Sequence, residues 1–420
     1  MVIHMHVNGI IAEYNPFHKG HKYHLEESLR LTGADYTIIA MSGDFVQRGA
    51  PAVIDKHARA EMALRCGADL VLELPVLYAT ASAEYFAAGA VSLFDKLGVV
   101  THLCFGSESI AAEHADAIPL PEIASLLLHE SGAYRTALKE LLRQGASYPH
   151  ARIKALMQSY PFLTEYGDLF SSPNNILGIE YCKAILQRQS TMIPVPVTRL
   201  GSGYHSSDMT KQFSSALGIR CALYAEKNPG KLLRHLPAEA GQILIHYLEA
   251  HSPVRCDCFS APLYYKLLIE KESGYEQYLD VTGDLSNRIR KLLGQYTGFE
   301  AFCDLLKTRD MTYTRISRCL LHILLDIKKG HMESAKSMDM IPYAKVLGFR
   351  KSAEPLLNAV KQQASIPLVT RLAKARKSLE ADACRLLNQD ILSGELYQGV
   401  AAIQCGQPPI HECARPLVIL

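Results

Sequence analysis

The chain has 420 residues, 48% hydrophobic and 20% charged, which is longer than one core organises and too apolar for wholesale disorder. Its 44 basic and 42 acidic side chains leave a net charge of +2, which by itself does not suggest a nucleic-acid partner. The total hides a split: residues 1–220 hold 18 basic and 21 acidic groups, and residues 221–420 hold 26 and 21, so an acidic half precedes a basic one.

Taken in order, the first 110 residues alternate short apolar runs with helical stretches. Strands are predicted at 6–12 (HVNGIIA), 36–41 (YTIIAM), 69–74 (DLVLEL) and 102–105 (HLCF), and helices at 21–32, 55–66 and 79–97. Continuous apolar strands separated by helices are the sequence form of a parallel sheet covered on both faces. Gly33, Gly67 and Gly98 fall where each helix must end and feed the next strand. From about 110 to 160 the pattern is helical, a helix opens at Ser172-Pro-Asn-Asn175, residues 193–200 (IPVPVTRL) read as a strand, and 214–227 as a helix. Asn228-Pro-Gly230 breaks that helix, which places a boundary between residues 1–225 and 226–420. Beyond it the apolar spacing of three and four is helical, as in RCLLHILLDIKKG and PLLNAVKQQ. The fold expected is therefore α/β, a Rossmann-like parallel-sheet domain followed by a mainly α-helical, basic domain.

Eleven cysteines without a spaced framework predict buried free thiols in a reducing cytoplasm. Cys256-Asp-Cys258 lacks the second pair of a structural zinc site. The opening MVIHMHVNGIIAEYN has no signal-segment character, and 75–94, weakly charged but holding Glu84, reads as a buried helix and not a membrane span. A soluble, cytoplasmic protein is expected.

The chemistry concentrates in Glu13-Tyr-Asn-Pro-Phe-His-Lys-Gly-His-Lys-Tyr-His24, after the first strand and into the first helix, where open α/β sheets bind ligands. Pro16 and Gly20 shape the loop, and Gly20 is expected to let a nucleotide approach the backbone. His18 and His21 can share one side, the helix N-terminus suits phosphate, and Lys19 and Lys22 add charge. His24 either joins that face or is solvated. Surface placement is the ordinary fate of one such histidine; two, with a glycine and a proline in this order, point to a site. A lone Ser N-cap is the plain reading of Ser214 or Ser215.

His18-Lys-Gly-His21 resembles the (His/Thr)-x-Gly-His signature of the HIGH nucleotidyltransferase superfamily. Lys211-Gln-Phe-Ser-Ser215 keeps only two places of the synthetase Lys-rich loop. Ser215-Ala-Leu-Gly-Ile-Arg220 is similar to the Ser-x-Thr-x-Ile-Arg helix start of small nucleotidyltransferases, with Leu217 in place of threonine. EYNPFHKGHKYH, MSGDFVQRGAPAVIDKHARAEMALRCGADLVLELP, FGSE, SPNNILGIEY and KTRDMTYTRISRCLLHILL together resemble the bacterial tRNA(Met) cytidine acetate ligases, most strongly from about residue 8 to 220. The resemblance implies an ATP site on Ile11, Ala12, Glu13, Tyr14, Asn15, Pro16, Phe17, His18, Lys19, Gly20, His21, Lys22, Tyr23 and His24, then Gly106, Asn174 and Arg199. It gives His18 and His21 the catalytic role of stabilising phosphoryl charge. It also implies ATP with Mg²⁺, acetate as the acid, and elongator tRNA(Met) as acceptor. Asp44 and Arg48 are further candidates for the site lining. Lys307, Arg309, Arg315 and Arg318 with Tyr313, and Arg371, Lys374, Arg376 and Lys377, are the basic clusters that fit tRNA. Two other functions share parts of this pattern: adenylyl transfer to a phosphorylated cofactor precursor, and a non-catalytic RNA-binding module.

Overall fold

In the computed structural model the described residues are 5–108, 120–144, 148–199, 215–225 and 229–420. Lys211 to Ser214 and Asn228, singled out above, lie outside them. Ten strands occur among the described residues: β1 (Val7–Ala12), β2 (Tyr36–Ser42), β3 (Phe45–Val46), β4 (Ala50–Pro51), β5 (Leu70–Leu74), β6 (His102–Ser107), β7 (Ile193–Thr198), β8 (Ala344–Phe349), β9 (Leu368–Val369) and β10 (Val418–Ile419). The main sheet runs β10-β8-β5-β2-β1-β6-β7, with β9 also paired to β8, while β3 and β4 form a small hairpin. The five strands from β5 to β7 are mutually parallel, with Ile10 registered against both Ile39 and Cys104. Their carboxyl ends therefore share one edge.

Alternation along these strands feeds both faces. Ile38, Ala40, Leu70, Leu72 and Leu103 enter one core, and Ile10, Ile39, Val71 and Cys104 enter the other. Helix α1 (Lys19–Thr32) ends at Gly33, whose φ of +62° a side chain would strain. Helix α2 (Lys56–Arg65) starts at Asp55, whose carboxylate accepts the Ala58 N–H at 2.9 Å. The helix expected over 79–97 is two pieces, Val76–Ala79 and Ala83–Leu97. The break has a cause: Thr80 turns its hydroxyl back to the Val76 carbonyl at 2.8 Å, and Ser82 starts the second helix.

Helices from residues 256 to 323 build a third core of their own around Leu263, Leu285, Phe299, Ile316 and Leu320. The chain then returns to the sheet. β8 pairs antiparallel with β5, and β10 pairs parallel with β8. The division at 225/226 thus separates stretches of chain and does not separate sheets. Ala-Lys-Val-Leu-Gly-Phe carries a lysine and a glycine where a strand pattern wants β-branched residues, so its pairing is set by tertiary contact. Lys345 enters a buried ion cluster, and a Cβ on Gly348 would lie 2.5 Å from the Val418 carbonyl oxygen.

All eleven cysteines are free, and six of them are buried. Burial pushes the Cys104 and Cys182 thiols up to about 12. Cys258 is half-buried and accepts a hydrogen bond from the Gln404 side chain. No group of three His, Cys, Asp or Glu side chains among the described residues is arranged to hold a metal ion. No helix among them is long and apolar enough to cross a membrane.

Candidate nucleotide site

The loop from β1 into α1 is held by its own backbone donors. His18 is the N-cap of α1: its Nδ1 accepts the Gly20 N–H at 3.1 Å, and His21 Nδ1 accepts the His18 N–H at 3.2 Å. This is a capping box made of two imidazoles. Because both Nδ1 atoms accept, the proton of each neutral ring sits on Nε2, leaving two N–H donors for the pocket. The rings stack at 3.7 Å with 19° between planes, and Tyr14 meets His21 edge-on at 4.8 Å. Burial pushes His18 down to about 3, with the positive charges of Arg199 and Arg220 adding to the shift. Burial and His18 hold His21 well below its ordinary 6.5. His24 joins the same face, pushed by burial to about 4. Its Nε2 is buried with no hydrogen-bond partner among the described residues. A buried polar atom without a partner costs about 1–3 kcal/mol, which marks this nitrogen as a candidate ligand contact.

Ile11, Ala12, Glu13, Tyr14, Asn15, His18, Gly20, His21, Tyr23 and His24 all line one pocket, and Gly106, Asn174 and Arg199 close it from the ends of β6, β7 and the helix Pro173–Arg188. Four expected residues do not line it. Pro16 follows a cis peptide bond and Phe17 is fully buried, so both shape the loop from behind. Lys19 is exposed, and Lys22 turns away to Glu239 at 3.7 Å. The positive charge at the pocket comes instead from Arg48, Arg199 and Arg220. Two glycines leave room for side chains of the pocket. A Cβ on Gly20 would stand 3.0 Å from the His18 ring, and one on Gly106 would stand 3.1 Å from the Arg199 side chain. Each therefore makes room for a protein side chain that faces the ligand.

Asn174 bonds the Glu108 carboxylate and does not cap the helix, whose N-cap is Ser172. Its neighbour Asn175, fully buried, accepts from the Ser107 hydroxyl at 2.8 Å and the Glu108 N–H at 3.1 Å, fixing the tip of β6. Asn175 was missed because the sequence does not say which of two adjacent asparagines turns inward.

Ser215, Leu217 and Arg220 also line the pocket, and Arg220 donates to the Asn15 carbonyl at 2.8 Å. Leu217 presents an apolar wall where the related motif has a hydroxyl, while Ser215 caps its helix through Gly218 N–H at 3.1 Å. Arg48 lines the pocket beside Gln47, but Asp44 does not. Asp44 is buried against Lys56 at 3.4 Å, and burial pushes its carboxyl up to about 6. Also missing from the expected set is Arg59, fully buried on α2. It donates to the carbonyls of Glu13 at 2.7 Å, Ser42 at 3.0 Å, Ile54 at 3.1 Å and Gly43. Four carbonyls and no carboxylate satisfy it, so it locks the tips of β1 and β2 together.

Paired imidazole donors at the first strand end of a parallel sheet, with two arginines opposite, define a nucleotidyltransferase of the HIGH type. The HIGH Nucleotidyl Transferase family profile matches residues 5–408. A tRNA(Met) cytidine acetate ligase of Acetivibrio thermocellus is 39% identical over 400 residues, 94% of each chain. Its counterpart in Clostridium kluyveri is 39% identical over 411 residues, covering 94% of this chain and 98% of its own. Two crystal structures of Thermotoga maritima TmcAL, 32% identical, cover 99% of this chain. The apo form superposes with a TM-score of 0.91 and the form bound with alpha-thio ATP with 0.87. The chain belongs to the tRNA(Met) cytidine acetate ligase family.

Proposed function

We propose that this protein uses ATP to activate acetate and passes the acetyl group to N4 of the wobble cytidine of elongator tRNA(Met), giving N4-acetylcytidine. The observation that carries it is the stacked His18–His21 pair, neutral and aimed by its capping hydrogen bonds. An acetate oxygen attacks the α-phosphorus, the bond to the bridging oxygen breaks, and pyrophosphate leaves. The Nε2–H donors of His18 and His21, with Arg199 and Arg220, stabilise the charge that builds on the phosphoryl oxygens, and need no reorganisation to do so. The cytidine amine then forms a C–N bond to the acetyl carbon, the C–O bond to AMP breaks, and one amine proton is released. Activation is needed because acetate is a poor electrophile and the cytosine amine a poor nucleophile. No protein nucleophile takes part.

Mg²⁺ would reach this site on the triphosphate, with water completing its shell. The pocket's imidazole, amide and guanidinium donors suit the phosphates, and Glu13, whose Oε1 accepts the Gln47 N–H, is the one carboxylate in the described lining. Residues 226–420 are proposed as the tRNA-docking part and the cytoplasm as the compartment. Arg371, Lys374, Arg376 and Lys377 are all exposed, as are Lys307 and Arg309. Arg315, Arg318 and Tyr313 are half-buried, with Arg318 3.8 Å from Asp280, so the first pair and the later cluster carry the tRNA proposal.

The test is exchange of labelled pyrophosphate into ATP. It should require acetate, proceed without tRNA, and fall by about 10²–10³ in His21→Ala. Exchange that ignores acetate would overturn the activation step. Unchanged N4-acetylcytidine in tRNA from cells lacking the gene would overturn the acceptor.

A further inference from the structure

Behind the pocket lies a sealed cluster of five charges. Lys56, at the start of α2, reaches Glu412 at 2.6 Å, Glu73 at 3.0 Å and Asp44 at 3.4 Å. Lys345 on β8 reaches Glu73 at 2.6 Å and Glu412 at 2.9 Å. None of the five side chains is more than 5% exposed. Glu412 comes from the C-terminal segment, and room for it is left by Gly394, where a Cβ would lie 2.5 Å from its Oε2. Three residues on, Arg415 pairs with Asp55, the N-cap of α2, at 2.6 Å. The C-terminal segment thus grips both residues at the start of α2.

α2 itself does not line the nucleotide pocket, but it is bonded to the segments that do. The Lys56 N–H donates to Asp44 Oδ1 at 2.9 Å, and the Asp44 carbonyl accepts the Ala52 N–H at 2.8 Å, closing the loop that carries Gln47 and Arg48. One turn along α2, Arg59 holds the tips of β1 and β2. The Gln47 N–H donates to Glu13 Oε1 at 3.1 Å, joining that loop to the histidine loop. A continuous set of buried and half-buried polar contacts therefore runs from Glu412 and Arg415 through α2 to two walls of the pocket.

We propose that Glu412 and Arg415 are positioning residues of the ATP half-reaction: the C-terminal segment sets α2, and α2 sets the pocket walls. Acetate activation, which needs no tRNA, would then depend on residues at the far end of the chain. This rests on the reading above that ATP and acetate react without tRNA. Glu412→Gln keeps the shape but removes one buried charge, and Arg415→Met removes the grip on Asp55 without touching the ion cluster.

The experiment is tRNA-free, acetate-dependent pyrophosphate exchange with full-length protein, at a temperature where each variant keeps the wild-type circular dichroism. The expected result is an ATP KM raised about 10-fold with kcat changed less than about 3-fold, and partial recovery of KM in Glu412→Asp and Arg415→Lys. Wild-type KM in folded Glu412→Gln and Arg415→Met overturns the proposal. So does loss of folding in both, which would make the contacts architectural only. Absence of acetate-dependent exchange in the wild type itself overturns the underlying function and is seen before any variant is read.

Discussion

Acidification tests the neutral state of the two site histidines. Burial pushes His18 from 6.5 to about 3, and His21 also lies well below 6.5. Both folded values are under the unfolded one, so between them the unfolded chain binds more protons. The stability tied to the neutral rings is complete above about pH 6.5 and is lost as the pH falls. At pH 5.5 each ring costs roughly 1.4 kcal/mol, and the pair about 3 kcal/mol, relative to pH 7.5. Asp44 and Asp390, both pushed up to about 6 by burial, act with the opposite sign across the same window. The histidine share is therefore a difference: urea unfolding of wild type and of His18→Asn/His21→Asn at both pH values. Wild type should lose about 3 kcal/mol more than the variant. Nitrogen-15 spectra of labelled histidine should show Nε2–H tautomers for both rings, without titration between those pH values. A midpoint between 6 and 7 for either ring, or an Nδ1–H tautomer, would refute the electrostatic account of the pocket.

Three further outcomes follow from the packing around the site. Arg59→Met leaves four buried carbonyls without their donor and should destabilise the protein by about 4 kcal/mol, read by denaturant unfolding. Lys345→Met leaves Glu73 and Glu412 sharing Lys56 alone, and a loss of roughly 3–5 kcal/mol is expected in the same assay. Gly49 has φ +77°, and a Cβ on it would stand 2.3 Å from the Arg318 nitrogen. Gly49→Ala should lower the thermal midpoint by an amount equivalent to about 2–3 kcal/mol and raise the ATP KM, because Gln47 and Arg48 ride on the same loop.

What the residues specified by themselves is local. Continuous apolar runs bounded by turn residues placed β1, β2, β5, β6 and β7 within a residue or two. The His-x-Gly-His loop was legible because its histidines, glycine and strand-to-helix context are contiguous in the chain. The resemblance of long strings then carried the family and the activity, which spacing alone does not reach. Which charges face the pocket was legible only in part: Arg199 and Arg48 were expected there and line it. Lys19 and Lys22 stand beside the histidines in sequence but point away, while Arg220 arrives from some two hundred residues later. The same reason hid Arg59, Asn175 and the whole of β8. A side chain's partner is set by what the fold brings opposite it, and a buried cation such as Lys56 is tolerable only because Glu73, Asp44 and Glu412 converge from three distant segments. The near-neutral net charge is likewise an average over such pairs. The sequence determined the elements and the reactive loop; only the tertiary structure decided that the C-terminal end of the chain completes the support of the nucleotide pocket, because burying those charges demands partners that no local segment contains.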